Sequence, residues 1–119
     1  MSIPAQYFRK GSRNKYGAKK TVVGDIKFDS KKEAHRWMDL QLLERAGVIS
    51  GLQRQVKIEL MGQHGPLLTR TGRKMRFTVD FAYTEKGAVI HEDVKGYATR
   101  DYEVRVAVAR AMGLEVKET

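Results

Sequence analysis

Residues 77–95, FTVDFAYTEKGAVIHEDVK, constrain the fold more than any other stretch of the chain. Two alternating runs, Phe77 to Tyr83 and Ala88 to Lys95, flank Thr84-Glu85-Lys86-Gly87, which is the pattern of an antiparallel hairpin. Side chains alternate along a strand, so Phe77, Val79, Phe81 and Tyr83 are expected on one face and Thr78, Asp80 and Ala82 on the other. On the returning strand His91, Asp93 and Lys95 share a face, opposite Ile90, Glu92 and Val94. If the apolar faces pair, the other face gathers Asp80, His91, Asp93 and Lys95. Unpaired buried charge costs several kcal/mol or shifts its pKa until it neutralises, so these residues need partners.

The other elements build around that hairpin. Ser30-Lys31-Lys32-Glu33 has the Ser-x-x-Glu spacing of a capping box and opens a helix that continues through Ala34, Trp37, Met38, Leu40, Leu42, Leu43 and Ala46 to Gly47. Gln55 to Met61 alternates as a strand. A second helix is expected from Thr99 or Asp101 through Met112, with Tyr102, Val104, Val106, Val108 and Ala109 as its apolar residues, before a short strand at Leu114 to Lys117. The predicted order is helix, three antiparallel strands, helix, strand, a mixed α/β (α+β) sheet protein. The expected division is a basic N-terminal arm over residues 1–24 and one domain over 25–119.

Composition narrows the chemistry. The chain has 119 residues, 41% of them hydrophobic, which suits a single folded domain. Without cysteine there is no disulfide, thiolate nucleophile or zinc-thiolate site. No apolar run is long enough to span a bilayer and the N-terminus has no apolar signal core, so a cytoplasmic location, in a bacterial or phage-infected cell, and no membrane partner are expected. A surplus of 23 Lys+Arg over 14 Asp+Glu gives a net charge of +9, which points to a polyanion as partner.

Two basic clusters could hold phosphates. The first is Arg9, Lys10, Arg13, Lys15, Lys19 and Lys20, interleaved with Tyr7, Phe8 and Tyr16; it reads equally as a nucleic-acid-binding arm or as a solvated tail. The second is the loop carrying Arg70, Arg73, Lys74 and Arg76, with Arg100 on the last helix as a further candidate.

Asp80 and Asp93 come from adjacent strands, within about 5 to 8 Å of one another. Carboxylates that close repel unless one is protonated or a cation lies between them. Oxygen donors point to Mg²⁺, with Mn²⁺ able to substitute. An acid-x-Lys triplet alone says little, since it occurs at Asp25, Asp29, Asp93 and Glu115; Asp93-Val94-Lys95 stands out because the strand of Asp80 precedes it. The plain alternative is a salt-bridge cluster on a solvated hairpin face.

The arrangement Val79-Asp80 followed by Asp93-Val94-Lys95, in this order of elements, resembles the PD-(D/E)XK nuclease superfamily. The run KYGAKKTVVGDIKFDSKKEAHRWMDLQLLERAGVI, with QVKIEL, VDFAY and EDVKG after it, is similar to small phage-encoded Holliday-junction resolvases of the endonuclease I type, over about residues 14–112. The resemblance implies a restriction-endonuclease-like αβββαβ core and a Mg²⁺-dependent endodeoxyribonuclease acting on branched DNA in replication or recombination, as a homodimer. It places the metal on Asp80, Asp93 and Glu33, and gives Lys95 the task of assisting water. Val79 stands where the superfamily name has proline, and Glu33 already has a capping role. Gln55 and His91 are possible accessory residues, each with an ordinary structural reading beside it. Two other functions stay open: a basic nucleic-acid-binding protein without chemistry, and a nuclease for another nucleic-acid structure.

Overall fold

The computed structural model of the chain describes residues 10–13, 19–94 and 98–119. It is a mixed α/β protein in two compact units, one through Gly47 and one from Val48 to Thr119.

In the first unit, β1 (Lys10–Arg13), β2 (Lys19–Val23) and β3 (Ile26–Phe28) form an antiparallel sheet in that order. The segment expected to be an arm therefore contains strands, because Val23 pairs with Ile26 across a Gly24-Asp25 turn in which Gly24 takes φ +59. Helix α1 (Lys31–Arg45) follows, and the Ser30 side chain accepts the Glu33 N–H at 3.1 Å, as the cap pattern predicts. Ala34, Trp37 and Met38, spaced to fall on one helix face, pack with Val23, Ile26 and Phe28 into a small core.

The second unit contains β4 (Ser50–Glu59), the short pair β5 (Met61–Gly62) and β6 (Gly65–Pro66), β7 (Arg76–Glu85), β8 (Ala88–Asp93), helix α2 (Arg100–Ala111) and β9 (Glu115–Glu118). Its main sheet runs β4-β7-β8-β9, antiparallel except for the parallel β8–β9 pair. Parallel neighbours need a crossover, which α2 supplies. The β7–β8 turn is reduced to Lys86 and Gly87, both at positive φ, the two-residue form that matches strand twist. Ile58, Leu60, Phe77 and Val79 pack with Val106 and Ala109 of α2 and Val116 of β9.

Strict alternation along β7 does not hold. Paired residues share a face of a sheet. Ala82 pairs with His91 and His91 with Val116, while Val116 packs with Phe77 and Val79. Val79 and Ala82 therefore lie on the same side, and Phe81, paired with Glu92, lies on the other. The expected grouping of Phe77, Val79, Phe81 and Tyr83 on one face is corrected accordingly. The reversal falls at Asp80, beside Gln55 of β4, whose φ of +50 is left-handed and breaks the pleat.

Candidate active site

The ladder between β7 and β8 has Phe81↔Glu92 as its last pair before Asp80 and Asp93. At that point side chains replace backbone pairing. The Asp80 N–H donates to Asp93 Oδ1 at 3.1 Å, and the Val94 N–H donates to Asp80 Oδ2 at 2.8 Å. Each aspartate thus satisfies an amide exposed by the parting of the strands. From β4, Gln55 Nε2 reaches Asp80 Oδ1 at 3.4 Å. Gln55, Asp80 and Asp93 stand in a row across three strands, and the left-handed backbone at Gln55 could not be read from the sequence.

Two carboxyl groups held this way cannot both ionise freely. Burial pushes Asp93 up from its ordinary 3.8 to about 7, the negative charge of Asp80 adds to this, and the hydrogen bond from the Asp80 amide works in the opposite direction. Tyr102 is the residue that sequence reasoning assigned only to the apolar face of α2. Burial first, then the charges of Asp93 and Glu118, push its phenol above the ordinary range, with the Arg110 charge opposing them. Its position was hidden because the helix start and the parting of the strands are brought together only by the β8–α2–β9 crossover.

The remaining candidates are placed as follows. His91 is half-buried on the same side of the sheet as Asp93, and its buried Nδ1 meets no hydrogen-bond partner among the described residues. Glu33 lies in the first unit, is 4% exposed, and its backbone amide closes the helix cap. Lys95, Arg9 and Lys15 lie outside the described residues, while Lys10, Arg13 and Lys19 are placed by their backbone in β1 and β2. Lys20 is half-buried, and Arg70, Arg73, Lys74, Arg76 and Arg100 are exposed. The loop tip is fixed by Thr69, which accepts the Arg73 N–H through Oγ1 at 3.1 Å; Lys74 is 3.5 Å from Glu59.

Glu92 departs most from expectation. Placed by alternation on the face opposite Asp93, with no role assigned to it, it is fully buried, accepting from the Tyr83 hydroxyl at 2.6 Å and Thr119 Oγ1 at 3.3 Å. It lies on the opposite face from Asp93 and is separate from the carboxylate pair.

The donor set at Asp80 and Asp93 suits a hard divalent cation. Both carboxylates retain acceptor capacity beyond their bonds to amides, and their mutual repulsion would be relieved by positive charge. Among the described residues no group of three or more His, Asp or Glu side chains could hold a metal ion. A divalent cation at this pair would need water or substrate oxygens to complete its coordination shell, as Mg²⁺ sites commonly do.

The fold and site define a small basic α/β protein with a strand-end pair of aspartates. A family model described as a protein of unknown function (DUF1064) matches residues 13–119, and the chain belongs to that family. No curated protein and no solved structure matches it. No helix among the described residues is long and apolar enough to cross a membrane.

Proposed function

We propose that the chain is a metal-dependent endonuclease of the PD-(D/E)XK type, hydrolysing DNA phosphodiester bonds. The observation that carries this reading is the Asp80–Asp93 pair at the parting of β7 and β8, with Asp93 raised to about 7 beside its neighbour. The element order of the second unit, preceded by α1, agrees with the αβββαβ core that the sequence resemblance implies. The net charge of +9 and the exposed Arg70, Arg73 and Arg76 suit a phosphate backbone.

In this reading Asp80 and Asp93 bind Mg²⁺ or Mn²⁺, Gln55 holds the Asp80 carboxylate in place, and Lys95 offsets charge developing on the phosphate. The bound ion would supply an acidified water and neutralise phosphate charge. Branched DNA, such as a four-way junction, is the proposed substrate. Resolving it takes two cuts, hence a homodimer.

The test compares wild type with Asp93→Ala on end-labelled four-way junction and on linear duplex of matching sequence, with Mg²⁺ and with EDTA. Paired nicks on the junction alone, lost in EDTA and in the variant, are expected. Tight binding without cuts under every metal tried would leave a second reading, a non-catalytic nucleic-acid-binding protein. That reading has its own support, because both carboxylates already do structural work by accepting backbone amides.

A further inference from the structure

From Val104 to Ala111 the outward side of α2 is apolar, where a solvated helix carries polar residues. Val106 and Ala109 face the core, and Val104, Ala107, Val108 and Ala111 fall at helical spacing on the other side. Val104 is 51% exposed, Ala107 and Ala111 are exposed, and Val108 is half-buried. In a chain of which 31% is charged, solvation alone does not account for such a face. Its two ends differ in shape. Towards the N-terminal end Val104 is an exposed branched side chain; towards the C-terminal end Val108, Ala111 and Met112 line an open groove whose other wall begins at Met61. The Met61 N–H donates to Met112 Sδ at 3.3 Å, which holds that wall against the helix. Val104 and Ala111 are two turns apart, about 10 Å along the axis.

We infer that this side of α2 docks a second copy of the chain, the two helices packing antiparallel about a two-fold axis between Ala107 and Val108. A two-fold contact requires each feature to meet its complement on the other copy. Antiparallel packing centred there sets Val104 of each chain opposite Ala111 of the other, so each valine enters the other's groove. Charge selects the same arrangement. The first turn of α2 carries Asp101 and Glu103 and the last turn carries Arg110. Glu103 and Arg110 lie on one flank of the face, and the two-fold brings each Glu103 beside Arg110 of the second copy; parallel packing would set like charges together. The Arg110 side chain is 51% exposed, 3.9 Å from Glu118, and so is open to a second acid. Antiparallel helix dipoles are also mutually favourable. Exposed ion pairs set orientation more than affinity, and a face this small suits a weak, concentration-dependent dimer. The use of that dimer for paired cuts rests on the nuclease reading above; the contact itself does not.

The test uses the absence of cysteine from the chain. Val104→Cys and Ala111→Cys proteins are oxidised separately and as a mixture. A disulfide needs Cα atoms within about 7 Å, so the antiparallel dimer should cross-link the mixture and neither protein alone. Sedimentation equilibrium across about 1 to 100 μM should show wild type self-associating, and Val104→Glu should weaken this by about a hundredfold, because the two-fold enters each substitution twice. Since Val104 is exposed, the melting temperature of the variant at low concentration should match that of wild type. Wild type that stays monomeric, a Val104→Glu protein that associates as wild type does, or Val104→Cys that links to itself in preference to Ala111→Cys would each overturn this interface. The four-way junction assay separates the two readings. Monomeric Val104→Glu should give single nicks in place of paired ones. If it still cuts in pairs, or if dimeric wild type cuts nothing, the α2 contact stands and the resolvase reading fails.

Discussion

Asp93 ties the chemistry of the site to the stability of the fold. Its folded pKa, about 7, lies above its ordinary 3.8, so the folded state holds the proton more tightly than the unfolded chain does. The stabilisation this provides is fully present below about pH 4 and is lost as pH rises towards 7. In EDTA the protein should therefore lose stability across that window, and Asp93→Asn should remove the slope. At pH 7.5 the variant is expected to be more stable than metal-free wild type by about 1 kcal/mol, discounted for partial solvent exposure. Urea titrations of both proteins at pH 4.5 and 7.5 check this; equal slopes would refute it. Glu92 provides a contrast one residue earlier. It is fully buried, with the Tyr83 hydroxyl as a close donor, so Tyr83→Phe should destabilise by about 1 to 3 kcal/mol in the same assay. Glu92→Gln, which keeps an acceptor, should cost less.

At the scale of elements, α1, β7, β8 and α2 were legible because their signals are local. Ser30 and Thr99 cap the helices, and Lys86-Gly87 closes the hairpin. The first sheet was missed because β3 has three residues and β2 sits in a basic run that reads as a tail. The face assignments of Phe81 and Tyr83 failed for another reason. Periodicity assumes an unbroken pleat, and the φ of +50 at Gln55 is a backbone choice that no spacing rule reveals. A non-glycine residue in that conformation costs of order 1 kcal/mol and persists when something depends on it. Here Gln55 lies beside Asp80 and donates to its carboxylate. Gln55→Gly should relieve the backbone and stabilise the fold by up to about 1 kcal/mol. It should also lower cleavage, because Asp80 loses a contact. A melting curve and a cleavage assay on one preparation test both; a variant that cleaves normally would mean that the conformation serves the fold alone.

At the scale of the whole molecule, the proposed nuclease needs an acidic pair for chemistry and an excess of basic residues to hold an anionic substrate against that pair. The Asp80–Asp93 pair was legible as a hairpin pairing, but the Tyr102 hydroxyl was not, since its place depends on a crossover that spans β8, α2 and β9. The basic loop carries a sharper quantitative consequence. Each phosphate contact in duplex DNA contributes a slope of about −0.9 to log Kobs against log salt concentration. Arg70, Arg73 and Arg76 are exposed, whereas Lys74 is 3.5 Å from Glu59 and so is partly neutralised already. Replacing the three arginines with glutamine should make the slope shallower by about 2 to 3, and adding Lys74→Gln should change it by well under one further unit. Filter binding of wild type and the two combined variants between low and moderate salt gives the slopes directly. An unchanged slope in the triple variant would move the phosphate contacts away from this loop, to the first basic cluster or to Arg100. A loss of cleavage with unchanged slope would instead give these arginines a role in placing the backbone against Asp80 and Asp93, separate from holding it.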